Sequence, residues 1–80
     1  MDKITAEMLR QQRAPIVVIY ERPLDYPDQY AARVFDLNRP TELFVLADNL
    51  DEIRAKIPTE ILFQLPPDPR DEPHIKEVWI

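Results

Sequence analysis

The chain predicts an α+β fold: a small, mainly antiparallel sheet of about five strands, in the order α-β-β-β-α-β-β, with one face packed by a helix at 49–57. Three observations carry this prediction. Five short runs rich in β-branched and aromatic residues recur between turn residues, the pattern of strands on a pleated surface. One segment, Asn49 to Pro58, combines a cap, helically spaced apolar residues and a proline stop. At 80 residues and 9.5 kDa, the chain has room for a single domain.

Taken in order, residues 1–14 read as an N-terminal extension forming a short, weak helix, with residues 15–80 as the domain proper. Asp2 or Thr5 would cap the helix, and Ile4, Met8 and Leu9 make a thin apolar stripe. So short a helix is marginal alone and must dock or fray. Pro15 to Tyr20 (PIVVIY) contains four consecutive β-branched residues and is apolar throughout, which predicts a central strand covered on both faces. Arg22 to Gln29 is a loop broken by Pro23 and Pro27, with Tyr26-Pro27-Asp28-Gln29 fitting a turn that has proline second. Tyr30 to Leu37 is the next strand; Ala32, Val34 and Asp36 point one way, and Ala31, Arg33, Phe35 and Leu37 the other.

Asn38 to Thr41 has turn chemistry, and Leu43 to Ala47 is a third strand. The helix follows, with Asp48 or Asn49 as cap, Glu52 at capping-box spacing from Asn49, and Leu50, Ile53 and Ile57 as the buried stripe. Its acidic first turn suits the positive end of the helix dipole. Glu60 to Leu65 is a fourth strand, Pro66 to Pro73 a polyproline-like acidic loop, and His74 to Ile80 a fifth strand that pairs inside the sheet. The second sheet face is left either partly covered by the N-terminal helix or open.

The chain has no glycine, serine or cysteine and one histidine, His74. Without glycine, the tight backbone approach of a phosphate-cradling loop is lost. Without serine and cysteine, the two commonest nucleophiles are gone. His74 alone cannot make an ordinary zinc site, and no EF-hand spacing is present. These absences predict a protein that is not an enzyme and uses no cofactor or metal. Fifteen acidic against ten basic residues, a net charge of −5, argue against direct nucleic-acid binding. The cations Arg10, Arg13, Arg22, Arg33 and Arg39 lie in the first half, whereas Thr41 to Glu60 carries five carboxylates against two cations. No apolar stretch is long enough to span a membrane and no cysteine implies an oxidising compartment, so a cytoplasmic location is expected.

The segments Tyr20-Glu21-Arg22-Pro23-Leu24-Asp25-Tyr26-Pro27, Ala47-Asp48-Asn49-Leu50-Asp51-Glu52-Ile53-Arg54 and Asp71-Glu72-Pro73, with the closing Glu77-Val78-Trp79-Ile80, form a set. Together they resemble a group of short uncharacterised bacterial and phage-borne proteins with a tyrosine-glutamate-proline loop, an acidic helix start and a Glu-Val-Trp ending. The resemblance covers roughly residues 16–80 and implies a mobile-element or phage context and a local extension over residues 1–15. It implies no activity.

The candidate interaction surface is Tyr20, Arg22, Asp25, Tyr26, Asp28, Tyr30 and His74. All three tyrosines gather in or beside one proline-punctuated loop, and Tyr and Arg are the side chains that anchor interfaces. The structural alternative is that Tyr20 and Tyr30 pack at strand ends while Arg22 pairs with a carboxylate. His74 reads either as a general base beside Asp71 and Glu72 or as a half-exposed strand-entry residue. Carboxylate pairs such as Asp25 with Asp28, or Asp71 with Glu72, have no sugar-sized cleft to serve. Trp79 reads as core.

The leading expectation is therefore a non-enzymatic protein-interaction module that meets an unidentified protein, or a second copy of itself as a homodimer, through a sheet edge or the Tyr/Arg loop. The first alternative is an acidic mimic or inhibitor of a nucleic-acid-binding protein, resting on Thr41–Glu60 and Asp68–Glu72. The second is a small-ligand-binding domain with a pocket of Tyr20, Arg22, Tyr26 and His74. Neither a membrane nor nucleic acid is an expected partner.

Overall fold

A computed structural model describes residues 1–66, 68 and 72–80. The order of elements is α1 (Ala6–Arg10), β1 (Pro15–Glu21), β2 (Tyr30–Asp36), β3 (Arg39–Ala47), α2 (Leu50–Ala55), a 3-10 turn (Thr59–Ile61), β4 (Gln64–Leu65) and β5 (Ile75–Trp79). The strands form one open antiparallel sheet in the spatial order β3-β2-β1-β5-β4. The α+β class and the five-stranded sheet are as the sequence predicts. The all-apolar run at β1 lies at the centre, paired on both sides, and β5 is inside the sheet between β1 and β4.

Both helices lie on the same side. Ile4 and Leu9 from the N-terminal segment, and Ile53 and Ile57 from α2 and the turn after it, form one buried cluster with Val17, Ile19, Ala32, Val34, Val45 and Ala47. Side chains alternate along a strand, so this cluster uses one set of positions and leaves the other set on the far side. The N-terminal segment is part of the core: Ile4 is 1% exposed and its N–H donates to the Lys56 carbonyl at 2.7 Å. Thr5 caps α1 by accepting from the Met8 N–H, as expected, but the helix spans one turn and a half, not residues 1–14. The extension expected ahead of a domain at residue 15 is thus a packed element.

Local corrections follow from backbone chemistry. The turn expected at 38–41 is a two-residue hairpin loop, Leu37-Asn38, closed by the Asp36–Arg39 pair. Both loop residues have positive φ, 52° and 64°, the combination whose twist matches flanking antiparallel strands. As a result β3 begins four residues earlier than predicted and carries Pro40, which an edge strand tolerates. The strand expected at Glu60–Leu65 begins as a 3-10 turn, because the Ile61 and Leu62 N–H groups donate back to Pro58 and Thr59; only Gln64–Leu65 is strand. The fifth strand is Ile75–Trp79, and Ile80 still exchanges two hydrogen bonds with Phe63, at 2.7 and 2.9 Å.

The helix expected at 49–57 is regular over Leu50–Ala55. The Asn49 side chain accepts from the Glu52 N–H at 2.9 Å, and Glu52 returns the contact by accepting from the Asp48 N–H at 3.3 Å. These reciprocal bonds are a capping box displaced by one residue. Of the acidic proline loop expected at 66–73, residues 67 and 69–71 lie outside the described residues.

Candidate functional site

The sheet face opposite the helices can be read row by row from the strand register. Leu65, Val78, Val18, Arg33 and Phe44 make one continuous row across all five strands. On one side of it run Ile75, Tyr20, Ala31 and Leu46; on the other, Ile16, Phe35 and Pro40, with Phe63 beside Ile80 at the β4 end. Every side chain in these rows is apolar or aromatic except that of Arg33. An antiparallel sheet with one wet face normally alternates apolar and polar residues; this one is apolar on both. The surplus meets water chiefly at the β4 end, where Phe63 is 78% exposed, Ile80 45% and Leu65 40%, whereas Val18 and Ala31 at the centre are buried.

Among the described residues, the loop between β1 and β2 is the main segment lying over this face. It is pinned by the Arg22 N–H to the Gln29 carbonyl (3.0 Å) and by two internal turns, Tyr26 to Pro23 and Gln29 to Tyr26. The latter is the expected Tyr-Pro-Asp-Gln turn. The Tyr26 ring lies 5.5 Å from that of Phe44, and the Arg33 guanidinium sits 4.8 Å from the Phe44 centroid, within cation–π range. Arg33 Nη1 also donates to the Thr41 carbonyl at 2.8 Å, and Thr41 is itself held by its hydroxyl donating to the Val34 carbonyl at 2.7 Å. Loop and strands enclose a groove of about 380 Å³, lined chiefly by Tyr20, Tyr26, Arg33, Phe35, Pro40 and Phe44, with Asp25 and Glu72 at its polar side. Burial, followed by the negative charge of Glu72, pushes the Tyr20 hydroxyl above its ordinary range, against the pull of Arg33.

The seven residues singled out from the sequence do not converge on one site. Tyr20, Asp25 and Tyr26 line the groove. Arg22 is exposed, with a positive φ of 47°, and Asp28 is exposed on the far arm of the loop. Tyr30 pairs with Glu21 in the register and packs against the core on the helix side, where its hydroxyl donates to Glu21 Oε1 at 3.1 Å. Burial, and then that hydrogen bond, raise its pKa. His74 sits at the β1–β5 boundary, with Nδ1 3.4 Å from the Glu21 carbonyl oxygen, and is not among the groove residues. Arg33, Phe35, Phe44, Phe63 and Leu65 were missed as surface residues. The signal was present: Arg33 and Phe35 share one face of the Tyr30–Leu37 run, and only the register shows that Phe44 stands beside them.

The buried polar group is elsewhere. Glu77, 3% exposed, faces the helices opposite Ile19. Arg54 forms a two-pronged ion pair with it, Nε lying 3.0 Å from Oε1, and the Trp79 indole N–H donates to Oε1 at 3.0 Å. Burial alone would raise the Glu77 pKa; the Arg54 and Trp79 hydrogen bonds and the charges of Arg54 and Lys76 outweigh it and hold the carboxyl below its ordinary range. All its partners are structural, so this cluster ties α2 to β5. Among the described residues, no group of three or more His, Asp or Glu side chains is placed to hold a metal ion, and no helix is long and apolar enough to cross a membrane. No protein family, curated protein or solved structure matches the chain.

Proposed function

We propose that this chain is a non-enzymatic protein-interaction module, acting in the cytoplasm, that binds through the open face of its sheet. The observation that carries the reading is the five-strand row Leu65–Val78–Val18–Arg33–Phe44 and its apolar neighbours. Contiguous apolar surface of this extent on a small domain marks an interaction site. Arg33 supplies the polar anchor: it stands over an aromatic ring and, among the described residues, has no carboxylate within 4.0 Å. A partner that lays apolar side chains on the rows and offers an acceptor to Arg33 would satisfy both.

The test is retention of a protein partner at micromolar concentration by the folded chain, compared with Phe44→Asp and Arg33→Glu. Binding that both substitutions weaken by roughly 30-fold or more supports the reading, since side chains at an interface centre contribute ~2 kcal/mol or more. A compact monomer that retains no protein contradicts it. A second reading, a small-ligand site, is favoured by the groove alone; a thermal-shift screen addresses it, because a ligand selective for the folded form raises the midpoint.

A further inference from the structure

Resting on the reading of the open face as a binding surface, we infer that its occupant is a proline-rich, extended segment of another protein that carries an arginine or lysine, held in the groove between the β1–β2 loop and the strands β2 and β3. The floor of that groove is the sheet itself. Ala31, Arg33 and Phe35 follow one another along β2, ~13 Å from first to last. Tyr26 on the loop, with Pro40 and Phe44 on β3, makes the walls aromatic and apolar. The groove is open to a ligand: Leu24 on the loop is 86% exposed, Tyr26 37%, and Pro40 is exposed as well.

Shape and hydrogen bonding select an extended, proline-bearing ligand. A groove of about 380 Å³ under a loop has no room for a helix, which is ~10–12 Å across with its side chains. The backbone groups of its floor point along the sheet to the neighbouring strands, so a segment lying on this face gains no ladder of its own. The Thr41 carbonyl already accepts from Arg33 Nη1. A peptide N–H entering the groove therefore meets few acceptors, and burying it unpaired is costly. Proline has no N–H. A polyproline II segment arrives extended, at ~3.1 Å per residue, so about four residues span the floor. Its carbonyls are free to accept from Arg33 and from the Tyr20 hydroxyl, and its rings pack on aromatic walls.

Charge selects the rest. Asp25 and Glu72 are exposed at the polar side of the groove, and no cation among the described residues lies within 4.0 Å of either carboxylate. Arg33 is engaged elsewhere, over the Phe44 ring and on the Thr41 carbonyl. Glu72 accepts, through its carbonyl, from the N–H of Ile75, whose register partner is Tyr20; it thus stands at the Tyr20–Ala31 end, and the Phe35–Pro40 pair makes the other. The segment lies with its cation toward Tyr20 and Glu72 and its apolar residues on Phe35 and Pro40. The net charge of −5 favours encounter with a basic partner in the same sense.

Random dodecapeptides displayed on phage and selected on the folded full chain are expected to return sequences enriched in proline and in Arg or Lys. A synthetic peptide of the commonest selected sequence, titrated by calorimetry, is the probe. The double variant Asp25→Asn with Glu72→Gln should bind it ~5-fold more weakly and with a flatter dependence on salt. Asp51→Asn, exposed on α2 across the sheet, should bind it unchanged. Tyr26→Ala should weaken it by ~10-fold or more. Selected peptides that lack basic residues, or lack proline, overturn the inference; if Tyr26→Ala still weakens them, the binding-surface reading stands. Binding indifferent to the charge variant, or to Tyr26→Ala, overturns the inference too. A library that returns no binder overturns it alone, and the binding-surface reading is then decided by retention of a folded protein partner.

Discussion

Leu37 shows how one residue can be misplaced for its local conformation and still be carried by the fold. It occupies the first position of a two-residue hairpin loop with φ of 52°, where a side chain bearing Cβ crowds the following carbonyl. It is 55% exposed, so little burial compensates. Leu37→Asn is therefore expected to stabilise the protein by about 0.5–1 kcal/mol, read as a higher urea midpoint at unchanged m value. Glu77 is the opposite case, a charge placed where burial penalises it and rescued by its neighbours. Removing Arg54 alone leaves Glu77 without its counter-ion. Arg54 is 39% exposed, so the expected cost of Arg54→Leu is ~2–3 kcal/mol, below the 3–5 typical of a fully buried pair. The double variant Arg54→Leu with Glu77→Leu should recover most of that loss, a coupling visible in a double-mutant cycle. The same cluster sets a pH dependence. Because the folded-state pKa of Glu77 is depressed, the unfolded chain binds more protons as pH falls below the ordinary carboxylate range. The stability contributed by Glu77 is complete above that range and is lost as pH falls through the folded-state value. The thermal midpoint of the native chain is expected to fall more steeply than that of Glu77→Gln between about pH 5 and pH 2.

At the scale of elements, α1 is too short to persist alone. It is held because Ile4 and Leu9 are buried against the sheet and the Ile4 N–H bonds to Lys56. If residues 1–14 were an appendage, Ile4→Ala would leave stability unchanged. A side chain 1% exposed is instead expected to cost about 2–5 kcal/mol on truncation, measurable by urea unfolding. The connection into β1 is secured from the hairpin corner, where Asp36 Oδ1 accepts from the Arg13 and Ala14 N–H groups at 3.0 and 2.7 Å. Edge strand β3 has two of its carbonyls occupied by cationic side chains, Leu46 by Lys56 Nζ at 2.8 Å and Thr41 by Arg33 Nη1. Those contacts make strand addition at β3 less favourable than contact through the sheet face.

At the scale of the whole molecule, the decisive feature is a two-layer body whose second sheet face is covered only in part, by the β1–β2 loop. A chain of 80 residues has a small margin of stability, of order 3–5 kcal/mol from one core. Leaving the β4 end of an apolar face in water, at Phe63, Leu65 and Ile80, gives up part of what a full third layer would contribute. A partner that binds the folded chain through that face, as proposed, is expected to raise its thermal midpoint, and to raise it less in Phe44→Asp. Calorimetry with and without that partner reads this directly.

The sequence by itself determined the class and the centre of the sheet. Four β-branched residues in a row at Ile16–Ile19 admit little except a strand, and their apolarity on both faces demands neighbours on both sides. It also determined α2, whose cap and proline stop are local chemistry within a dozen residues. Tertiary structure decided what depends on register. A one-residue shift reverses every side chain, so only pairing could place Tyr30 on the helix side and bring Arg33 beside Phe44. It likewise decided that Ile4 and Leu9 belong to the core, because a thin apolar stripe is the same in sequence whether or not a sheet is there to receive it. The open face is of this kind: its residues come from five strands separated along the chain, and hydrogen bonding across the sheet is what makes them one surface.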